Sequence, residues 1–167
     1  LENEEKIAFN KLLIATGGSA FIPPIKGHDN DVLTLINFND AEKIKENTKT
    51  KNKFIVIGAG LIGLKAAEGL IKAGKEVEVV ELADRVLSAI ADKEASEIFL
   101  KELNKNKVKV HLNTSVEEIL RNENNIIGVK LSNAKQIECN SIIIAIGVRP
   151  NIELTKEILN LQHTKIK

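Results

Sequence analysis

The chain has 167 residues, 43% of them hydrophobic and 28% charged, which bounds it to one sizeable globular core or one domain with appendages. Its formal net charge of +1 carries no nucleic-acid footprint. Its apolar runs are far too short to cross a bilayer, and no charged leader precedes an apolar stretch, so the expected partners include neither nucleic acid nor membrane and the expected setting is cytoplasmic.

Residues 11–18, Lys-Leu-Leu-Ile-Ala-Thr-Gly-Gly, read as a buried strand ending in a glycine turn. Residues 19–31 carry Pro23, Pro24 and Gly27 and read as a linker, because proline fixes the backbone and removes a ladder donor. Asn39 is placed to cap a short helix over 41–47, with Asp40 and Glu42 in its first turn. Residues 54–57, Phe-Ile-Val-Ile, form a continuous apolar strand of the kind covered on both faces of a parallel sheet. A crossover helix follows over 61–73, with Ile62, Ala66, Leu70 and Ala73 on one face and Lys65, Glu68 and Lys72 on the other.

Residues 77–80 make the second parallel strand, 92–104 a further helix with Ala95, Ile98, Phe99 and Leu103 apolar, and 108–112 a third strand. Short strands over 115–121, 126–132 and 135–139, separated by Asn-rich turns, predict an antiparallel meander. Residues 141–147 return to a continuous apolar strand ending in Gly147, and one helical turn is expected after Pro150. The predicted fold class is α/β: a Rossmann-like, mostly parallel sheet with helices on both faces, plus the meander.

The segment Gly58-Ala59-Gly60-Leu61-Ile62-Gly63 has the spacing G-x-G-x-x-G between a strand and a helix, and the next strand ends on Glu81. This layout holds a dinucleotide. The first glycine turns the chain out of the strand, the second lets a pyrophosphate approach the backbone, and the third lets the helix pack close. Unpaired amides at the helix start face the phosphates, aided by the helix dipole. Glu81 is placed to accept hydrogen bonds from ribose hydroxyls and to repel a 2′-phosphate. Leu82 follows rather than an arginine, which favours NAD(H) over NADP(H), with Arg85 nearby as the counter-indication.

Three segments in order, Leu12-Leu-Ile-Ala-Thr-Gly-Gly18, Gly58-Ala-Gly-Leu-Ile-Gly63 and Ile144-Ala-Ile-Gly-Val-Arg-Pro-Asn151, resemble the central part of an FAD-dependent pyridine nucleotide–disulfide oxidoreductase. The resemblance is to the branch of NADH oxidases, rubredoxin and ferredoxin reductases and NADH-dependent nitrite reductases. It implies residues 1–19 as a remnant of an FAD domain, 20–38 as a crossing, 39–147 as an inserted NAD(H)-binding domain, and 148–167 as the return. It implies that Ala145, Ile146 and Gly147 lie near the bound nicotinamide cofactor and that Thr16 and Gly17 lie towards FAD. Lys65 stands where many relatives carry a glutamate that helps position the nicotinamide end, and it reads as a solvated helix-face lysine. The partners implied are NADH, the remaining FAD-domain segments and an electron acceptor such as nitrite, oxygen or a small redox protein.

Other chemistries have less support. His28, His111 and His163 lack ligand spacing to one another or to cysteine, so no metal site is expected, and no residue is singled out as catalytic. The single cysteine, Cys139, excludes an internal disulfide and reads as a packing residue beside a strand. The chain has no methionine even at position 1 and reads as an internal piece of a longer protein. The expected function is NADH binding within a flavoprotein that passes hydride to FAD, with the isolated chain lacking turnover. The alternatives are a nucleotide-binding module without redox chemistry and a Rossmann enzyme of another class.

Overall fold

The computed structural model describes residues 6–154 and Lys156. Two compact units are present: Ala20–Val148, and a smaller one that joins the described residues up to Ser19 with those from Arg149. Strands β1 (Gly18–Ala20) and β2 (Leu33–Thr34) come first, then helix α1 (Phe38–Asn47). Strand β3 (Lys53–Ile57), helix α2 (Leu61–Lys72), strand β4 (Glu76–Val80), helix α3 (Lys93–Lys105) and strand β5 (Lys109–His111) follow. The chain then runs through β6 (Val116–Asn122), β7 (Asn125–Leu131), β8 (Gln136–Glu138), β9 (Ser141–Ile144) and β10 (Val148–Pro150).

Five strands form a wholly parallel sheet in the order β2-β9-β3-β4-β5. Its central strands are β-branched and buried on both faces, and successive side chains alternate between two cores. Phe54, Val56, Val77, Val79 and Ile143 enter one core with Ile44 of α1, Ala66, Ala67 and Leu70 of α2, and Leu100 and Leu103 of α3. Ile55, Ile57, Val80, Ile142 and Ile144 enter the other, with Ile119, Val129, Leu131 and Ile137 of the meander.

The α/β class and the meander are as expected, but helices on both faces are not: α1, α2 and α3 share one face and the antiparallel sheet β6-β7-β8 covers the other. Strand order supplies the reason. The connections β2 to β3, β3 to β4 and β4 to β5 all run the same way across the sheet, and only β5 to β9 runs back. Right-handed crossovers put the first three on one face and the return, here the meander, on the opposite one.

Local differences also have physical causes. The cap of α1 is Asn37, not Asn39: its side chain accepts from the Asp40 amide at 3.0 Å, while Asp40 accepts from the Ile36 amide at 2.9 Å. Helix α2 buries Gly63, Ala66, Ala67 and Leu70, so the face is turned from the expected one and Ile62 is left exposed. Small residues allow the helix to lie close to the sheet. Helix α3 buries Ser96 and leaves Ile98 and Phe99 exposed. Part of the stretch 20–38 is structured, since β2 is an edge strand of the parallel sheet. Residues 11–17, expected as a buried strand, are exposed and unpaired as a strand, because no described strand offers them a ladder. The single helical turn expected after Pro150 is present, its Lys156 amide donating to Ile152 O at 3.0 Å.

Lys26 and Arg121 fasten the segment before β2 to the meander, Lys26 by backbone bonds to Glu117 O and from Ile119 N. The Arg121 guanidinium donates to Gly27 O at 2.8 Å and forms a two-pronged pair with Asp31 at 2.9 and 2.6 Å. The hydrogen bond from Arg121 holds the Asp31 carboxyl below its ordinary range, so this clasp is intact at neutral pH and is lost only as acid protonates Asp31. Cys139 is buried in the meander-side core, and burial pushes its thiol up to about 12. The folded chain is therefore expected to resist iodoacetamide at pH 8 and to react once unfolded in urea. Alkylation of the native chain at the rate of a free thiol would contradict this packing.

Candidate functional site: a cleft at the carboxyl ends of the parallel strands

The strand order switches between β3 and β9: from β3 the chain builds outward to β4 and β5, then returns to place β9 on the other side of β3. Open α/β sheets hold ligands outside the carboxyl ends of the strands at such a switch point. A cleft of about 780 Å³ lies there, floored by the turns after β3, β4 and β9. Small-molecule sites span roughly 300–1,000 Å³.

The glycine loop is locked backbone to backbone. Gly58 has φ +104, and a Cβ there would lie 2.6 Å from Ala145 O. The Gly58 amide donates to Val80 O at 2.8 Å, and the Ala145 amide to Ile57 O at 2.8 Å. A Cβ on Gly63 would lie 2.0 Å from Gly58 O, so α2 is seated directly on the loop. Gly60 is different: a Cβ there would meet nothing within 4 Å. It is the N-cap of α2, has no side-chain cap, and no acid sits in the helix's first turn to compete for the free amides.

Glu81 joins two of these turns. One carboxylate oxygen accepts from the Ala59 amide at 2.6 Å and the other from the Ala83 amide at 2.8 Å. Its own backbone is held by β5 and the segment after it, through Glu81 N to His111 O at 2.8 Å and Thr114 N to Glu81 O at 3.1 Å. Each carboxylate oxygen retains a second lone pair for a ligand hydroxyl. Among the described residues that line the cleft, Glu81 is the one charged side chain.

Gly58, Gly60, Leu61, Ile62, Glu81, Leu82, Ala145, Ile146 and Gly147 all border the cleft. Ala59 and Gly63 do not: both are buried behind it, Ala59 presenting its backbone to Glu81 and Gly63 giving α2 its seat. The walls include residues that the motif does not mark. Leu87, Ser88, Ala89 and Ile90 form one side, Pro23, Pro24 and Ile36 another, and Thr114 and Ser115 close the end after β5. The usable signal for Thr114 and Ile36 is position just past a parallel strand, which requires the strand list rather than the glycine spacing.

Lys65 and Arg85 both stand apart from the cleft. Lys65 pairs with Glu68 at 2.7 Å on the outer face of α2. Arg85 pairs with Asp84 at 2.8 Å and donates to Ser88 O at 3.3 Å, within a separate depression beside α3. In the smaller unit, Asn151 ties two of the sequence motifs together. Its backbone amide donates to Gly17 O and its side-chain amide to Thr16 O, each at 2.9 Å, and Ser19 and Thr16 donate back to it.

This parallel sheet with a glycine loop at its switch point is Rossmann-like. The sequence profile of the pyridine nucleotide-disulphide oxidoreductases matches residues 1–167, and the chain belongs to that family, whose cofactors are NAD(H) and FAD. It is 38% identical over 158 residues to an NADH oxidase of Methanocaldococcus jannaschii, covering 93% of this chain and 35% of that protein. It is 33% identical over 150 residues to a nitrite reductase (NAD(P)H) of Bacillus subtilis, covering 89% of this chain and 18% of that one. A water-forming NADH oxidase from Lactobacillus brevis, solved with NADH bound, superposes with TM-score 0.84 at 25% identity, covering 91% of this chain and 34% of the other. The chain thus spans about a third of the length of the NADH oxidases it matches.

Proposed function

We propose that the cleft binds NADH, with the pyrophosphate over Gly60 and the first-turn amides of Leu61 and Ile62, the adenosine ribose on Glu81, and the nicotinamide half beside Ala145–Gly147. The observation that carries this reading is the pairing of an open Gly60 with a Glu81 carboxylate anchored to the same loop. The residues fit the cofactor: the space a side chain would fill at Gly60 is vacant, and the amides at the helix start offer donors to an anion. The family membership and the NADH oxidases among the relatives support it.

In the parent protein, the nicotinamide supplies a hydride for FAD, and electrons pass on to an acceptor such as nitrite, oxygen or a small redox protein. This chain's part is to bind, orient and select the cofactor. The smaller unit, whose Thr16, Ser19 and Asn151 are mutually bonded, belongs in this reading to the FAD domain, and the larger unit is the NAD(H)-binding insertion. The isolated chain then lacks turnover and shows no flavin absorbance, whereas the full-length parent does.

Selection follows from charge. Glu81 faces the ribose, Leu82 and Ser88 bring no positive charge, and Arg85 is engaged outside the cleft. A 2′-phosphate would meet a carboxylate with no cation to offset it. Titration by fluorescence is expected to show NADH binding at least tenfold tighter than NADPH, a difference of about 1.4 kcal/mol. Equal or tighter NADPH binding would defeat the assignment. A parent that binds NADH but shows no flavin band would leave a nucleotide-binding module without redox chemistry.

A further inference from the structure

Ser96 is a buried polar side chain of α3 that the sequence pattern does not explain; it is 3% exposed. Its hydroxyl donates to Val86 O at 2.7 Å. The peptide group carrying that carbonyl also carries the Leu87 N–H, which donates to Ala59 O at 2.9 Å. The peptide group carrying the Ala59 carbonyl in turn carries the Gly60 N–H, at the N-cap of α2 on the cleft floor. Two peptide groups therefore connect a serine on α3, head to tail, with the amide that opens the helix.

The backbone in this path is strained. Leu87 is a buried, bulky residue with φ +54, a left-handed conformation that crowds the Cβ of an L-residue. Such strain persists where the surroundings hold it, and it clusters at ligand sites. The holders are Ser96 on one side of the Val86–Leu87 peptide and Ala59 on the other, with the Ile90 and Ala91 amides both donating to Leu87 O at 2.9 Å.

We propose that Ser96 is a positioning residue for the pyrophosphate of the dinucleotide, acting through the Val86–Leu87 and Ala59–Gly60 peptides; this rests on the reading that the pyrophosphate lies over Gly60. Two physical effects carry it. Hydrogen bonds in a chain polarise one another, so the Ser96 donor strengthens the Gly60 amide as a donor to an anionic oxygen. The same bonds fix the Ala59–Gly60 peptide plane before the ligand arrives, so less ordering remains for binding to impose. Glu81 holds the other side of Ala59 through its amide, so this buried loop residue is gripped at both its N–H and its C=O.

The test compares the native chain with Ser96→Ala, using NADH, ADP-ribose and adenosine as probes, with circular dichroism confirming the fold. NADH and ADP-ribose are expected to bind about fivefold more weakly to the variant, the worth of one hydrogen bond, while adenosine, which lacks phosphate, binds equally to both. A merely structural role would weaken all three alike, and that result overturns the proposal, as does unchanged ADP-ribose affinity. If Ser96→Ala does not fold, Ser96→Cys, which keeps a weak donor of similar size, carries the same comparison with a smaller loss in the phosphate-bearing ligands. A native chain that binds neither NADH nor ADP-ribose overturns the cofactor reading and this proposal with it. A native chain that binds both, beside a variant that binds them equally well, overturns the Ser96 proposal alone.

Discussion

Gly63→Ala is expected to lower NADH affinity more than tenfold and to destabilise the chain by about 3 kcal/mol. The added Cβ would lie 2.0 Å from Gly58 O, 3.0 Å from Gly58 C and 3.4 Å from a Val56 methyl. A backbone carbonyl cannot swing aside as a side chain does. Gly58 is itself confined, by its φ of +104, by its bond to Val80 O and by the Ala145 carbonyl behind it. Relief therefore comes from α2 moving outward, which carries the Leu61 and Ile62 amides off the cleft floor. Gly69→Ala on the same helix is the control: a Cβ there meets nothing, so a gain of about 0.5–1 kcal/mol from helix propensity is expected, with affinity unchanged. Urea melts and NADH titrations of both variants check the pair. A Gly63→Ala chain with native stability and affinity would show that the seat of α2 on the loop is not what positions the amides.

Glu81→Gln carries the second large effect. The carboxylate accepts from Ala59 N at 2.6 Å and Ala83 N at 2.8 Å, one bond on each oxygen. A glutamine has one accepting oxygen, so one of these amides would face an NH2 group and lose its partner, costing about 1–3 kcal/mol. In the proposed site the charge-assisted bonds from Glu81 to the ribose hydroxyls would be lost as well. NADH affinity is expected to fall about tenfold to a hundredfold, the worth of a hydrogen bond to a charged group. NADPH affinity should fall less, because the repulsion of its 2′-phosphate is removed along with the favourable bonds. The ratio of the two dissociation constants is the measurement that matters. A ratio unchanged from the native chain would mean that selection resides elsewhere on the cleft wall.

The glycine loop and its acid were legible in the sequence because their requirement is local. A tight turn, a close backbone approach and a strand-end carboxylate each demand a particular residue at a particular offset. The strands were legible for a related reason: residues buried on both faces of a sheet must be apolar without alternation, as Phe54-Ile-Val-Ile57 and Ser141-Ile-Ile-Ile144 are. The observed cap of α1 lies two residues before the expected one because Asn37 and Asn39 are equally able to cap, and only the turn through Ile36 and Asp40 chooses between them. Ile62 is grouped with Ala66 and Leu70 by the sequence because a helical stripe shows which residues share a side, while contact with the sheet depends on how closely the helix approaches. In α2 that approach is set by Gly63, so the small residues turn inward and Ile62 turns to the cleft.

What the chain's own order of residues determined is its class, its sequence of strands and helices, and the chemistry offered at Gly58–Gly63 and Glu81. These rest on steric and hydrogen-bonding rules that act over a few residues. Tertiary structure alone decided which face each element covers, because that follows from strand order, and strand order is set by contacts between distant segments. It decided that the meander, and not a helix, closes the second face. It also decided that Glu81 grips Ala59, that Arg85 is held away from the cleft, and that Ser96 and a left-handed Leu87 support the loop from behind. Each of these is a hydrogen bond or ion pair fixed by the packed position of an exposed turn or a helix face. Spacing along the chain places no constraint on such a contact until the sheet has brought its ends together.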